Sequence, residues 1–213
     1  MNDSNGEFES FRTNFLRDIN RVSDNDRNSR KRGLQKLLDE LPWNDKNNNL
    51  LKQLILSDIL SALYPRISDP VEKCRELCLK CFYKVVSGNF LPVPVAEEAI
   101  TCLCARLDDI PYPEQVEELR LQILQIILIT LQKLSQPITP TLANKVLSAV
   151  GKSSMDPFPS VKKESAEILS LICRLCPSSI RFHFKSLLKV FTLNCSHQHS
   201  KIRTTTIKVK LIY

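Results

Sequence analysis

The stretch Asp156-Pro-Phe-Pro-Ser-Val-Lys162-Lys-Glu-Ser-Ala166 has the composition of a short turn that leads into an α-helix. Asp can cap the free N–H groups of a first helical turn, and Pro157 already has the backbone φ angle of a helix. Apolar or small residues then follow at helical spacing, at Ala166, Leu169 and Cys173. This stretch decides the fold because the same arrangement recurs along the chain.

An acidic or capping residue followed six positions later by a basic residue occurs five times. The pairs are Asp24 and Arg30, Asp69 and Arg75, Glu114 and Arg120, Asp156 and Lys162, and His197 and Arg203, where His takes the acidic position. The basic residues are separated by 45, 45, 42 and 41 residues. After each of the first three, apolar residues stand 4, 7, 8 and 11 positions on, which is one face of an α-helix. A period near forty residues predicts an array of helical repeats.

The repeat predicts an all-α fold, an α-solenoid of about five helix pairs. A single pair cannot bury both of its apolar faces, whereas stacked neighbours bury them continuously. We expect residues 1–6 to be a flexible N-terminal tail and residues 7–213 to form the solenoid. The last repeat is expected to be truncated, because Lys208 and Lys210 interrupt the apolar face of its second helix before the chain ends at Tyr213.

The recurring acidic and basic positions have a structural role in such an array. Successive turns lie side by side, so an Asp of one repeat can meet an Arg of its neighbour and also accept backbone N–H bonds. Breaking one such pair, if buried, would cost about 3–5 kcal/mol. The predicted inter-repeat ladder consists of Asp24, Arg30, Asp69, Arg75, Glu114, Arg120, Asp156, Lys162, His197 and Arg203. A partner-binding role for the same residues is the alternative.

The composition is that of a chain that buries a core, with 43% hydrophobic and 25% charged residues. The sequence has neither a signal peptide nor an apolar run of the roughly 20 residues that a membrane span needs, so we expect a cytoplasmic protein without membrane contact. Most of the eight cysteines lie inside helical patterns, which predicts reduced, buried thiols and no disulfides.

Motifs for catalysis are missing from the sequence. It contains no Gly-rich phosphate loop and no nucleophile elbow, so we predict no enzyme, no cofactor and no small-molecule substrate. Zinc is an alternative for Cys195, His197 and His199 or for Cys173 and Cys176. The His-x-His spacing is not the usual finger spacing, and small core thiols are the favoured interpretation, so we predict no metal.

The net charge of +7 would suit an acidic protein partner or nucleic acid, and a solvated basic surface is the plain alternative. Lysines and arginines are enriched in the C-terminal third, but few exposed aromatic residues interleave with them. Base stacking is therefore disfavoured, and so is nucleic acid as a partner.

The unit of about forty residues, with Asp-Pro in its turn and then Val and Lys or Arg, is similar to HEAT repeats, so the helix pairs are expected to be HEAT-like. Met155-Asp-Pro-Phe-Pro-Ser-Val-Lys-Lys-Glu-Ser165 and Ser196-His-Gln-His-Ser-Lys-Ile-Arg203 further resemble the N-terminal part of the HEAT-repeat dynein axonemal assembly factors. Asp69-Pro70 and Glu117-Glu118-Leu119-Arg120-Leu121 fit the same pattern, and the resemblance spans roughly residues 25 to 207.

The resemblance implies a non-enzymatic cytoplasmic scaffold for the preassembly of axonemal dynein arms. The implied partners are dynein intermediate or heavy chains and chaperones, and the sequence does not identify the residues that bind them. A generic HEAT-repeat adaptor of karyopherin-like or nucleic-acid-associated type, acting through its basic surface, is the alternative hypothesis.

Overall fold

The computed structural model describes residues 3–45, 47–88, 90–134 and 138–210, and in these ranges the chain is helical and contains no β-strand. The prediction of an all-α fold is confirmed. The chain divides into two compact units, unit 1 from Met1 to Pro92 and unit 2 from Val93 to Tyr213. The forty-residue period runs through this boundary unchanged, so the sequence pattern alone does not reveal it.

Unit 1 contains two helix pairs. Its elements are α1 (Asp3–Val22), α2 (Arg27–Glu40), α3 (Asn49–Leu54), a π-helical segment (Ile55–Ile59), α4 (Leu60–Leu63), a 3-10 segment (Tyr64–Ser68) and α5 (Glu72–Ser87). Helix α2 packs against both α1 and α5. Helix α1 begins inside the segment 1–6 for which a flexible tail was predicted, and residues 1 and 2 lie outside the described ranges.

The helical stretch from Asn49 to Ser68 is not uniform. Five residues, Ile55–Ile59, are π-helical, and the chain tightens to a 3-10 segment from Tyr64. Pro65 lacks a backbone N–H, so the regular α-helical hydrogen bonds end there. The π-helical segment carries Asp58, whose carboxylate accepts hydrogen bonds from Arg12 of α1 at 2.7 Å and 3.0 Å. Such segments interrupt a helix locally and redirect the side chains that they carry.

Unit 2 contains three helix pairs in two layers. Its helices are α6 (Val93–Cys104), α7 (Glu117–Lys133), α8 (Pro140–Ser153), α9 (Pro159–Leu175), α10 (Pro177–Cys195) and α11 (Ser200–Lys210). The first helices of the pairs pack in the order α6, α8, α10, and the second helices in the order α7, α9, α11. Residues 211–213 of the predicted array lie outside the described ranges.

Helix α10 begins with a proline. Pro177 is its first residue and follows α9 after one residue. A first-turn residue has no helical partner for its N–H, so proline costs nothing there, and its fixed φ angle suits the helix. The connection between α9 and α10 is therefore a single residue, Cys176.

The apolar positions of the repeat form the core, with one exception. Positions 4, 7 and 11 after Arg30, Arg75 and Arg120 are all buried. Position 8 is not: Leu38 and Leu128 are half-buried, and the side chain of Tyr83 is 42% exposed. At about 3.6 residues per turn, position 8 lies at the edge of the face whose centre is near position 11. Each of these three helices therefore buries three of the four apolar positions of the pattern.

Gly33 marks the closest approach of α1 and α2. A Cβ atom added at Gly33 would lie 2.7 Å from the carbonyl oxygen of Asp18 and 2.9 Å from Cβ of Arg21. Both atoms belong to α1, and one of them is backbone, so neither can move without moving the helix. The first helix pair is thus packed backbone against backbone at this point.

Candidate functional site at the helix-pair turns

The turns between paired helices share a hydrogen-bonding arrangement that we call the turn clamp. In its first half, the side chain at the acidic position accepts a hydrogen bond from the backbone N–H two residues later. This bond occurs in all five turns, at 3.0 Å for Asp24, 2.9 Å for Asp69, 3.1 Å for Glu114, 2.8 Å for Asp156 and 3.1 Å for Nδ1 of His197. It satisfies an N–H group that a helix start leaves without a partner.

The second half of the clamp explains the spacing of six residues. The Nη1 group of each arginine reaches back and donates to the carbonyl oxygen of its own acidic position. The distances are 3.1 Å for Arg30, 2.9 Å for Arg75, 3.3 Å for Arg120 and 2.7 Å for Arg203. Three of the four also donate to the following carbonyl group. One guanidinium thus fixes the backbone of the turn that precedes its helix.

Arg30 and Arg120 also bind the next repeat. Arg30 donates through Nε to Asp69 at 2.7 Å and through Nη2 at 3.1 Å, and Arg120 makes the same two bonds to Asp156 at 2.7 Å and 3.1 Å. We call each of these ion pairs a rung. The side chains are almost fully buried, with exposures of 7% and 0% in the first rung and 6% and 0% in the second. Buried, bidentate pairs of this kind fix geometry as well as charge.

Contacts within a single repeat also involve members of the predicted ladder. Asp24 is exposed and only caps its own turn. The buried carboxylate of Glu114 accepts a hydrogen bond from Arg106 of its own repeat at 3.3 Å. The ammonium group of Lys162 makes no hydrogen bond or ion pair with any described residue, and the residue is half-exposed. An ammonium group lacks the planar fork with which arginine spans two carbonyl groups and a carboxylate at once.

The charges of the first rung hold Asp69 ionised. Burial alone would raise the pKa of Asp69, but the hydrogen bonds from Arg30 and from the N–H of Val71 outweigh it. The charges of Arg30 and Arg66 act in the same direction, so the pKa of Asp69 is lowered from its ordinary value of 3.8. Arg66 is itself within reach, with Nη1 at 3.0 Å from Oδ2 of Asp69. The carboxylate therefore carries its charge throughout the physiological range.

An aromatic ring covers the second rung. The guanidinium carbon of Arg120 lies 4.8 Å from the centre of the Tyr112 ring, within the range of a cation–π contact. The hydroxyl of Tyr112 donates to the carbonyl oxygen of Lys152 at 2.9 Å. Burial and the charge of Asp156 raise the pKa of Tyr112 to about 12, although Arg120 acts in the opposite direction. Tyr112 therefore stays neutral and ties its turn to α8.

Sequence reasoning missed several ties of this type. Asp108 accepts hydrogen bonds from Ser148 at 2.6 Å and from Nζ of Lys152 at 2.9 Å, which joins the third turn to α8. Arg12 and Asp58 join α1 to the π-helical segment. No local signal marks these residues, because each contact joins positions at least 40 residues apart and involves no repeated spacing.

The described cysteines and histidines do not assemble a reactive centre. All eight cysteines are free thiols, and burial raises the pKa of both Cys81 and Cys104 to about 12. Within the described ranges, no three His, Cys, Asp or Glu side chains converge as metal ligands. His197 and His199 stack with their ring centres 5.3 Å apart.

No helix in the described ranges combines the length and the hydropathy that a membrane span requires.

Comparison with known proteins agrees with the repeat. Residues 21–210 match the profile of a family described as "Dynein axonemal assembly factor 5-like, TPR repeats". The chain is 31% identical over 198 residues to dynein axonemal assembly factor 5 of Xenopus laevis. The matched region covers 91% of this chain and 23% of that protein. The human protein is 29% identical over 154 residues, or 70% of this chain and 18% of its own length. The chain thus spans about a fifth of the length of these curated relatives.

Solved structures of similar fold are armadillo-repeat proteins. A computationally designed armadillo repeat protein for modular peptide recognition matches 92% of this chain and 80% of its own, with a TM-score of 0.70 at 16% identity. A designed armadillo repeat protein in complex with a (KR)4 peptide matches with a TM-score of 0.67 at 15% identity, over 92% of this chain and 80% of that one. The fold is therefore an α-solenoid. Its intervals of 41 to 45 residues suit HEAT and armadillo units, which are longer than the ~34 residues of a TPR.

Proposed function

The chain belongs to the dynein axonemal assembly factor 5-like family, and from this membership we propose that it is a non-enzymatic scaffold in the assembly of axonemal dynein arms. The observation that carries the proposal is the family match over residues 21–210, which includes all five turns with the repeated acidic or histidine position. Its clients would be dynein intermediate or heavy chains together with chaperones, and it would act in the cytoplasm.

The chemistry of the turns supports a scaffold over an enzyme. The buried charged side chains of the two rungs form hydrogen bonds within the fold, so none of them is available to a substrate. These side chains are Arg30, Asp69, Arg120 and Asp156. Such bonds hold neighbouring repeats in one arrangement. A fixed arrangement lowers the entropy that a protein loses when it binds a large client surface.

Affinity capture from extracts of ciliated cells tests the proposal. The immobilised 213-residue chain would be compared with an unrelated armadillo-repeat solenoid of similar charge, in extracts treated with nuclease. We expect quantitative mass spectrometry to show dynein intermediate or heavy chains enriched on the chain relative to the control solenoid. Equal recovery on both would contradict the proposal.

The longer Xenopus relative serves as the second bait, because it contains the region that this chain matches. Recovery of dynein chains on the relative but not on this chain would place client binding outside the shared fifth of its length. That result would contradict the proposal that this chain binds dynein chains, and it would leave unaffected the binding of dynein chains by the relative.

A further inference from the structure

An open groove lies between the N-terminal ends of α9 and α11 in unit 2. It is lined by Phe158, Pro159, Ser160 and Lys163 from the first helix and by His199, Ser200, Lys201 and Ile202 from the second. Both helices start at this groove, so the positive ends of two helix dipoles border it. The two helices pack directly against each other below it.

Positive charge is concentrated here without internal neutralisation. Lys162, Lys163, Lys201 and Arg203 form no ion pair with a carboxylate in the part of the chain that the structure describes. Arg203 donates only to the carbonyl groups of residues 197 and 198. Lys163 and Lys201 are exposed, and both line the groove.

The carboxylates of α9 lie further along the helix. Glu164 and Glu167 are half-buried. Burial raises the pKa of Glu164, the charge of Lys163 lowers it, and the charge of Glu167 raises it. At the other side of the groove, partial burial and then the charges of Lys162, His199 and Arg203 lower the pKa of His197. His197 thus lies among basic side chains next to the groove.

The patch is short, which argues against a nucleic-acid backbone. The preceding helix of the same layer, α7, begins with Glu117 and Glu118, both exposed, so the cationic surface ends at α9. A nucleic acid strand needs cations along several consecutive phosphates. The apolar part of the groove lining is formed by Phe158, Pro159 and the buried Ile202. A groove that combines cationic and apolar side chains suits a short peptide that carries both acidic and apolar side chains.

We propose that this groove binds an acidic segment of a protein partner. The carboxylates of the segment would lie at Lys163, Lys201 and the free N–H groups of the two helix starts, and an apolar side chain would pack on Phe158 and Pro159. The binding would depend on the groove alone, whichever assembly the partner belongs to, and it is a property beyond the proposed scaffold role.

The test is a fluorescence anisotropy titration of the full chain against a fluorescein-labelled peptide rich in Asp and Glu with a central Leu. The variant Lys163→Glu/Lys201→Glu reverses the charge of the groove. The matched control, Lys145→Glu/Lys185→Glu, makes the same charge change at exposed lysines of α8 and α10, in the other layer. The milder variant Lys163→Gln/Lys201→Gln removes the charge without adding repulsion, in case the reversal disturbs the fold.

We expect the groove reversal to weaken binding by about tenfold or more and the control by no more than about twofold, because charge at the binding site outweighs net charge at a distance. The glutamine variant should fall between the control and the reversal. Equal losses in the groove reversal and the control would overturn the proposal, and so would undiminished binding by the groove reversal. Tighter binding of a labelled single-stranded DNA than of the peptide, lost in the same variant, would reassign the groove to nucleic acid.

Discussion

Replacement of Arg120 by methionine tests whether the rungs hold the solenoid together. The change keeps an aliphatic side chain of similar length but removes the guanidinium. Asp156, whose side chain is 0% exposed, would keep only the hydrogen bond from the N–H of Phe158 at 2.8 Å. The carbonyl groups of Glu114 and Gln115 would also lose their donor.

A buried carboxylate that loses its partner costs about 3–5 kcal/mol. Because domains are stable by only about 5–15 kcal/mol, Arg120→Met should remove about a fifth or more of the stability of the unit. The matched control is Lys162→Met on α9, which replaces a cation that has no partner among the described residues. That change should stay within about 0.5 kcal/mol of the wild type.

Guanidinium unfolding followed by far-ultraviolet circular dichroism gives the free energies, and amide hydrogen exchange in α7 and α9 assigns the loss to the rung. The double variant Arg120→Met/Asp156→Asn completes a mutant cycle. It should lose less than the sum of the two single variants, by about 1–3 kcal/mol, because the second change no longer leaves an isolated charge. If Arg120→Met lowers the free energy of unfolding by less than about 1 kcal/mol, or by no more than Lys162→Met does, the rung does not hold the solenoid together.

Three further measurements address other features. Gly33→Ala should destabilise unit 1 by about 1–3 kcal/mol, because the added Cβ would meet the backbone of α1. Gly151→Ala should stabilise unit 2 by about 0.5–1 kcal/mol through helix propensity, because its added Cβ lies 3.7 Å from its nearest neighbour, Cδ2 of Leu187. Thermal melts that rank the two variants the other way would contradict this expectation. The lowered pKa of Asp69 contributes stability that is present above its unfolded value of 3.8 and is lost as the pH falls through the lower folded pKa. Asp69→Asn should therefore flatten the fall in unfolding midpoint below that value, and an unchanged acid profile would count against the rung. Lys162→Met should raise the pKa of His197 toward its ordinary value of 6.5, because it removes a like charge. A two-dimensional NMR titration would show the change, and an unchanged pKa would mean that the charge of Lys162 does not contribute.

The period of the sequence predicted the fold because the repeat places the same chemistry at the same point of every turn. The residues at positions 24, 69, 114, 156 and 197 all bond the N–H two residues ahead, even where histidine replaces the acid. A local hydrogen bond of this kind depends only on sequence spacing, so a sequence pattern can reveal it.

Contacts across the stack could not be predicted in the same way. The repeat alone does not distinguish Arg120, which binds Asp156, from Lys162, which binds no described residue, because it records charge and position but not the shape of the cation. The tie between Asp108 and Lys152 joins residues 44 positions apart and follows no spacing that the sequence repeats. The groove between α9 and α11 arises only when two helix starts separated by forty residues come side by side.

The rung also bears on how such chains grow. A rung joins an arginine of one repeat to the aspartate at the turn of the next, as the pairs Arg30–Asp69 and Arg120–Asp156 show. A repeat with an aspartate at its turn and an arginine six residues on, such as the one that contains Asp69 and Arg75, has both residue types of the joint. A gene duplication of such a whole repeat would supply a compatible partner at both new junctions. A deletion or insertion of a few residues within the turn would instead separate the two halves. Length variation among related chains should therefore occur in whole repeats or in the loops away from the clamped turns.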